Sequence, residues 1–248
     1  MISESEWKRF IESLRTAGKA VQEELKEALV NSIKNSIPKE RFGIMFSGGI
    51  DSTFIAYICK KADADFICYT AGIENSSDII QAEYTADKLG FKLKKTVIKL
   101  NEAEEIIKKT AGVLDSTDAV RVGIGSVFYA VMELAKKDKI RYLFSGLGSE
   151  EIFAGYERHK RGNINKECWK GLLSMRQRDL TRDWQIADSF GIKLLIPFLD
   201  SKVIRIGMQI SGKEKVSGRF KKVILRRIAE DIGIPKEISW KKKKAAQY

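Results

Sequence analysis

Hydroxyls, glycines and carboxylates fall together in two short stretches of the sequence. The first is Ser47–Gly48–Gly49–Ile50–Asp51–Ser52, reached from the apolar run Phe42–Phe46. Adjacent glycines let backbone N–H groups approach a phosphate closely. A helix starting just after them adds its positive end. Asp51 is placed to hold a Mg²⁺ ion, which would neutralise a leaving pyrophosphate. The pattern is neither a G-x-x-x-x-G-K-[ST] loop nor a G-x-G-x-x-G fingerprint. The second stretch is Ser145–Gly146–Leu147–Gly148–Ser149–Glu150–Glu151, after the apolar run Tyr142–Phe144. It repeats the logic of strand, serine–glycine turn and carboxylate.

Other reactive side chains are sparse. Cys59, Cys68, Cys168 and the lone His159 are too scattered for a structural zinc site, which takes about four Cys/His ligands. They read as buried thiols in a reducing compartment and a structural histidine. Trp169, Trp184 and Trp240 could stack on a base, but packing is the simpler reading. Arg176, Arg178 and Arg182 either line an anionic pocket or form a solvated helix face. Arg121, ahead of a helix, is a further candidate for phosphate contact.

The surrounding elements are those that must hold such loops. Residues 3–38 read as helix, with Ser3 and Glu6 at capping-box spacing and Gly18 as a break. Strand-like runs at Phe42–Phe46, Phe66–Ala71, Leu93–Ile98 and Tyr142–Phe144 then alternate with helical ones at 52–60, 77–89, 102–110 and 122–136. Such alternation predicts a mostly parallel sheet with ligands at the carboxyl ends of the strands, where both turns lie. The strand signal fades after Ser149. The expected layout is an N-terminal helical segment (1–38), a sheet domain (39–160) and a mainly helical C-terminal part (161–248).

Composition frames the rest. Lys and Arg number 45 against 33 Asp and Glu, a formal charge of +12 over 248 residues. That balance favours polyanions such as nucleotides, pyrophosphate or tRNA. No apolar run reaches membrane-spanning length, and the opening residues are polar, so a cytoplasmic location is expected.

The first loop resembles that of the N-type ATP pyrophosphatases. Three further segments resemble the synthetase domain of asparagine synthetases: Gly72–Ile73–Glu74–Asn75–Ser76–Ser77–Asp78, the stretch Ser145 to Tyr156, and Arg182–Asp183 followed by Gly191 and Pro197–Phe198–Leu199–Asp200. Leu147, Ala154–Gly155–Tyr156–Glu157–Arg158–His159 and the Ala–Ala–Gln–Tyr end are similar to asparagine synthetase domain-containing proteins. The resemblance implies an α/β fold with a five-stranded, mostly parallel, doubly wound sheet and a C-terminal helical cap. It implies ATP and Mg²⁺ as cofactors, with a carboxylate adenylated for attack by ammonia or an amine. Ser47, Gly48, Gly49, Asp51 and Ser52 would grip pyrophosphate. The backbone at Phe46 and Ala71 would hold adenine, with Ser145 and Gly146 as a second ATP contact. Asp51 and Glu150 would hold Mg²⁺, and Lys243 or Lys244 would meet the leaving pyrophosphate.

Three departures bear on the acceptor. Residue 2 is Ile where the family's glutaminase carries its cysteine, so nitrogen is expected as free ammonia, as an amine, or from a separate glutaminase. Leu147 replaces a glutamate beside the acyl-adenylate and can move no proton. Lys193 and Leu195 replace a glutamate and an arginine. Arg182 and Asp183 complete this altered acceptor side. The alternatives are a tRNA-modifying adenylating enzyme and a nucleotide-binding scaffold; self-association would be compatible with any of them.

Overall fold

The computed structural model describes residues 2–160 and 162–241. They form two compact units interleaved along the chain: 37–145 with 178–195, and 2–36 with 146–177 and 196–241.

The first unit is built on five strands: β1 (Phe42–Met45), β2 (Phe66–Ile73), β3 (Leu93–Ile98), β4 (Tyr142–Phe144) and β5 (Lys193–Leu195). Their order is β3-β2-β1-β4-β5, and every pairing is parallel. The chain walks outward from β1 to β3, then returns to add β4 on the other side of β1. Right-handed crossovers therefore put helices on opposite faces, and the direction reverses between β1 and β4. Phe42, Ile44, Cys68, Tyr69 and Phe144 are buried, as expected for strands covered on both sides. The edge strand β3 instead exposes Lys94 and Lys95. The sequence reading located four of the five strands. β5, Lys193–Leu195, escaped it because it lies in the stretch after Ser149 that reads as helical, without the serine–glycine turn that follows the equally short β4.

The second unit is helical. Ser3 caps the helix Glu4–Ser13 in a full capping box with Glu6. A second helix, Gln22–Asn35, buries Leu25, Leu29 and Ile33. The segment 3–38 is thus two helices, parted around Gly18, whose φ of +147° a helix cannot hold. The indole N–H of Trp7 donates to the Leu172 carbonyl at 2.8 Å, and the Ser32 hydroxyl donates to Pro197 O at 2.7 Å. Pro197–Leu199 is a 3₁₀ turn with Phe198 fully buried edge-on to Phe153. Asp200 caps the next helix, Ser201–Gln209, accepting from the amides of Lys202 and Val203. A small antiparallel hairpin pairs β6 (Val216–Ser217) with β7 (Phe220–Lys221), again strands that the sequence reading did not find. No described helix is long and apolar enough to cross a membrane.

Candidate functional site

β1 delivers its chain to the carboxyl edge of the sheet beside β4, at the point where strand order reverses. The Phe46 amide still belongs to the ladder, donating to Tyr69 O at 2.8 Å. The chain then leaves the sheet. Gly48 adopts φ +66°, and a Cβ there would lie 2.4 Å from the backbone oxygen of Gln81. Only glycine meets both conditions. The Gly48 carbonyl is pinned from the helix Ser77–Leu89, by Gln81 Nε2 at 3.1 Å and Thr85 Oγ1 at 3.4 Å.

The loop's serines tie it to itself. Ser52 Oγ accepts from the Ser47 amide at 3.3 Å and donates to Gly49 O at 3.2 Å, while Ser47 Oγ accepts from the Gly49 amide at 3.3 Å. These amide bonds are longer than the usual 2.9–3.0 Å, so a phosphate could take the donors at little cost. The helix Ile50–Lys61 begins at once, with Asp51 in its first turn. Backbone N–H groups, two hydroxyls, a helix N-terminus and one carboxylate thus share one short turn. That set suits phosphate with Mg²⁺, which commonly takes one or two carboxylates and completes its shell with phosphate oxygens and water. Ser145 follows β4 at the same edge, nearly buried, its amide donating to Leu195 O at 2.9 Å. Ala71 is buried in β2.

The residues from 146 onward belong to the helical unit. Gly148, at φ +94°, opens the short helix Ser149–Ile152, and a Cβ there would lie 2.4 Å from Leu199 Cδ2. Glu150 Oε1 meets the ammonium of Lys222 at 2.7 Å, and the same ammonium reaches Ser149 Oγ at 3.0 Å. Lys222 is nearly buried and left-handed (φ +56°), just ahead of the helix Val223–Asp231. Gly155 makes room for the pair: a Cβ on it would fall 1.5 Å from Glu150 Oε2 and 2.5 Å from Lys222 Cε. A metal at Glu150 would share its carboxylate with this ammonium. Sequence reasoning did not pick out Lys222. Its only signal was a lysine just before an apolar helix, which describes many solvated residues. Leu147 is half-buried.

Other expected residues have structural roles. His159 is fully buried and its Nδ1 accepts from the Tyr156 amide at 3.3 Å. Burial pushes its imidazole pKa down to about 4. Tyr156 OH donates to the buried Glu151 at 3.0 Å, and Arg158 lies 4.1 Å over the Tyr156 ring. Arg182 and Asp183 are neither a solvated face nor an open pocket. Arg182 Nε bonds Asp183 Oδ1 at 2.7 Å, Arg178 Nε bonds Asp179 Oδ2 at 2.7 Å, and Asp179, Arg182 and Asp183 are all buried. Arg178 and Asp179 lie within a π-helical turn, Arg176–Leu180, and Arg182 and Asp183 in the first turn of the helix that follows it. Burial raises the Asp183 carboxyl to about 6, against the pull of Arg182. Arg121 reaches Gln185 at 2.8 Å. Lys193 is exposed at the amino-terminal start of β5, the end of the strand opposite to the ligand edge. Lys243 and Lys244 lie outside the described residues. The backbone leading toward them is anchored by Arg226, which donates to the carbonyls of Ser239 (2.5 Å) and Lys241 (3.1 Å). Among the described residues no three His, Cys, Asp or Glu side chains cluster as a metal cage.

Comparison with known proteins returns the asparagine synthase family model over residues 24–186 and 161–248. The chain is 32% identical to the protein assigned as glutamine-hydrolysing asparagine synthetase 1 of Methanocaldococcus jannaschii, over 91% of this chain and 50% of that protein. It is 27% identical to asparagine synthetase B of Escherichia coli, over 89% of this chain and 43% of that protein. The chain therefore spans about half the length of these relatives or less. Among solved structures, an NH₃-dependent NAD synthetase from Campylobacter jejuni aligns with a TM-score of 0.40 and 17% identity, covering 55% of this chain and 61% of that one.

Proposed function

The chain belongs to the asparagine synthase family, and from that premise we propose that it is an ATP-dependent amidoligase that releases AMP and pyrophosphate. A substrate carboxylate oxygen attacks the α-phosphorus of ATP, and the bond from that phosphorus to the pyrophosphate oxygen breaks. Ammonia or an amine then attacks the acyl carbon, expelling AMP and giving up a proton as the amide forms. The observation that carries the reading is the Ser47–Ser52 turn: two glycines, two hydroxyls and Asp51 at a helix start, on the strand edge where the sheet reverses direction.

The amides of Ser47 and Gly49, now held in long bonds to serine oxygens, are the donors to be released to pyrophosphate. Mg²⁺, when bound, neutralises the triphosphate, and Asp51 is the residue of this turn that would hold it. Catalysis then rests on alignment and charge stabilisation. The backbone of Phe46 and Ala71 is assigned to adenine, and Ser145 and Gly146 to a further nucleotide contact. Glu150 enters the scheme as one half of its pair with Lys222, a carboxylate whose charge is already balanced. Lys243 and Lys244 are kept as candidates for the leaving pyrophosphate.

Leu147 supports a second reading, in which nucleotide binds without amide formation, because no side chain at that position can accept the amine's proton. Pyrophosphate release decides between them. Purified protein with ATP and Mg²⁺ is assayed across a panel of amino acids and other carboxylates, with and without ammonium. Release with one carboxylate, lost in Asp51→Asn, is the expected result. Tight ATP binding with no release across the panel would favour the second reading.

A further inference from the structure

The helical unit carries an open surface hollow of about 370 Å³ lined by Arg15, Asn163, Asn165, Lys166, Trp169 and Lys170. It contains none of the residues assigned to ATP above. Its composition is unusual for a surface hollow: three cations, two amides, one indole and no carboxylate. Arg15 places its guanidinium 4.7 Å from the centre of the Trp169 ring. Lys166, Trp169 and Lys170 stand at spacings of three and four on the helix Ile164–Met175 and so share one face. Lys170 is paired with Glu167 at 2.6 Å. Arg15 and Lys166 have no carboxylate within ion-pair distance among the described residues, so two positive charges on this wall are uncompensated by the protein. The amides are committed in part, and Asn165 Oδ1 is buried with no hydrogen-bond partner among the described residues. Asn163 accepts from the Lys166 amide at 3.0 Å, and Asn165 donates to Met208 O and to Ile210 O at 2.9 Å. They fix the wall in place, and the indole and the cations are left to meet a ligand.

We propose that this hollow binds a nucleobase together with its phosphate, the base lying against the Trp169–Arg15 stack and the phosphate between Arg15 and Lys166. Bases stack on aromatic rings and on guanidinium planes regardless of sequence. The volume, at the lower end of small-ligand sites, admits one such unit. The formal charge of +12 adds long-range attraction for it. A free mononucleotide and a nucleotide within single-stranded RNA present the same chemistry.

Fluorescein-labelled decauridylate and uridine 5′-monophosphate distinguish these sources when titrated into the full chain at about 50 mM salt without ATP. The labelled strand is expected to bind. Arg15→Gln with Lys166→Gln, both exposed positions, should weaken it at least tenfold and lower the slope of log K against log salt by about 0.7, the value for one neutralised phosphate. Trp169→Ala should weaken it about tenfold, within the range for loss of one stacked base. Trp169→Phe, which keeps a ring, should weaken it less and guards against misfolding of the alanine variant. Competition by the mononucleotide would identify a free nucleotide as ligand; binding of the strand alone would identify RNA. Absence of binding by both probes overturns the proposal. So does binding that ignores all four substitutions, or binding that responds to the charges but not to Trp169, which would mark a plain polyanion surface.

Discussion

The two serine–glycine turns leave adjacent parallel strands at the same edge of the sheet, and each needs a left-handed glycine. Gly48 has φ +66° and Gly148 φ +94°, and a Cβ would meet another atom at 2.4 Å in both. They differ in what completes them. The first turn is closed by its own serines, five residues apart, and by Gln81 and Thr85 from the next helix but one strand on. The carboxylate of the second, Glu150, is closed by Lys222, 72 residues later. The atom crowding Gly48 is backbone, whereas the one crowding Gly148 is the tip of a leucine. A self-contained turn keeps its shape with its sequence. A turn completed from a distance can be retuned by changes far away in the sequence.

The strongest break of this comparison is Gly48→Ala. A left-handed alanine costs about 1–2 kcal/mol, and the backbone of Gln81 cannot step aside as a side chain could. Pyrophosphate formation should fall at least 100-fold, with a loss of several degrees in Tm. Gly148→Ala should cost a similar amount of stability from its φ alone, while Leu199 turns away and ATP affinity is kept. Calorimetric melts and ATP titrations on both variants check this. Equal loss of ATP affinity would erase the distinction between the turns.

Next in size is the distant closure. Lys222→Gln and Gly155→Ala both break the Glu150–Lys222 pair, one by removing the ammonium and the other by filling its space. We expect amide-forming turnover to fall about tenfold to 100-fold, with ATP affinity changed less than threefold. The pair itself should contribute only about 1 kcal/mol or less to folding, since the Glu150 side chain is about one-third exposed and an accessible ion pair is screened. A change confined to ATP affinity would place the pair in nucleotide binding instead.

What could be read from the sequence follows the same division. Strands Leu93–Ile98 and Tyr142–Phe144 were legible because their local apolar pattern marks them, and the helix Ser77–Leu89 and the Ser3–Glu6 box because each is fixed by neighbours within a few residues. The nucleotide loop was legible for that reason too. β5 was not, since its three residues sit in a stretch read as helical and lack the serine–glycine turn that marks the equally short β4. Lys222 was hidden as well. Asp200, read only as part of a resembling segment, serves as a helix cap.

Smaller again is the loop's internal tie. Ser52→Ala removes two hydrogen bonds of 3.2–3.3 Å, and about 0.5–1.5 kcal/mol is the usual net value of one ordinary bond. For two bonds stability should drop by about 1–3 kcal/mol, while KM for ATP rises several-fold because the amide of Ser47 is no longer pre-positioned. Urea denaturation set beside initial rates separates the two. A stability loss above about 3 kcal/mol would mean that Ser52 supports the fold rather than the ligand.

The remaining effect concerns pH, and the expected trends of the two units are opposite in sign. In the sheet unit, burial raises the Asp183 carboxyl from 3.8 to about 6. A raised group contributes stability that is full below its unfolded pKa and is lost as pH rises through the folded one. The Asp183 contribution should therefore fade between about pH 4 and 6. In the helical unit, burial lowers His159 from 6.5 to about 4 and Lys215 from 10.5 to about 8. For lowered groups the sign reverses: their contribution is full above the unfolded pKa and is lost as pH falls through the folded one. His159 should therefore favour folding progressively from about pH 4 to 6.5, and Lys215 from about 8 to 10.5. The fully buried Lys215 has sulfur for company, Met208 Sδ lying 3.8 Å from its ammonium nitrogen. Urea melts from pH 4 to 10, read by hydrogen exchange at amides of each unit, should show the sheet unit losing protection between pH 4 and 6 as the helical unit gains it. Asp183→Asn should flatten the first trend and His159→Gln the second. If both amide sets move together at every pH, the chain unfolds as one cooperative body and the opposed carboxyl and imidazole terms appear only as their sum.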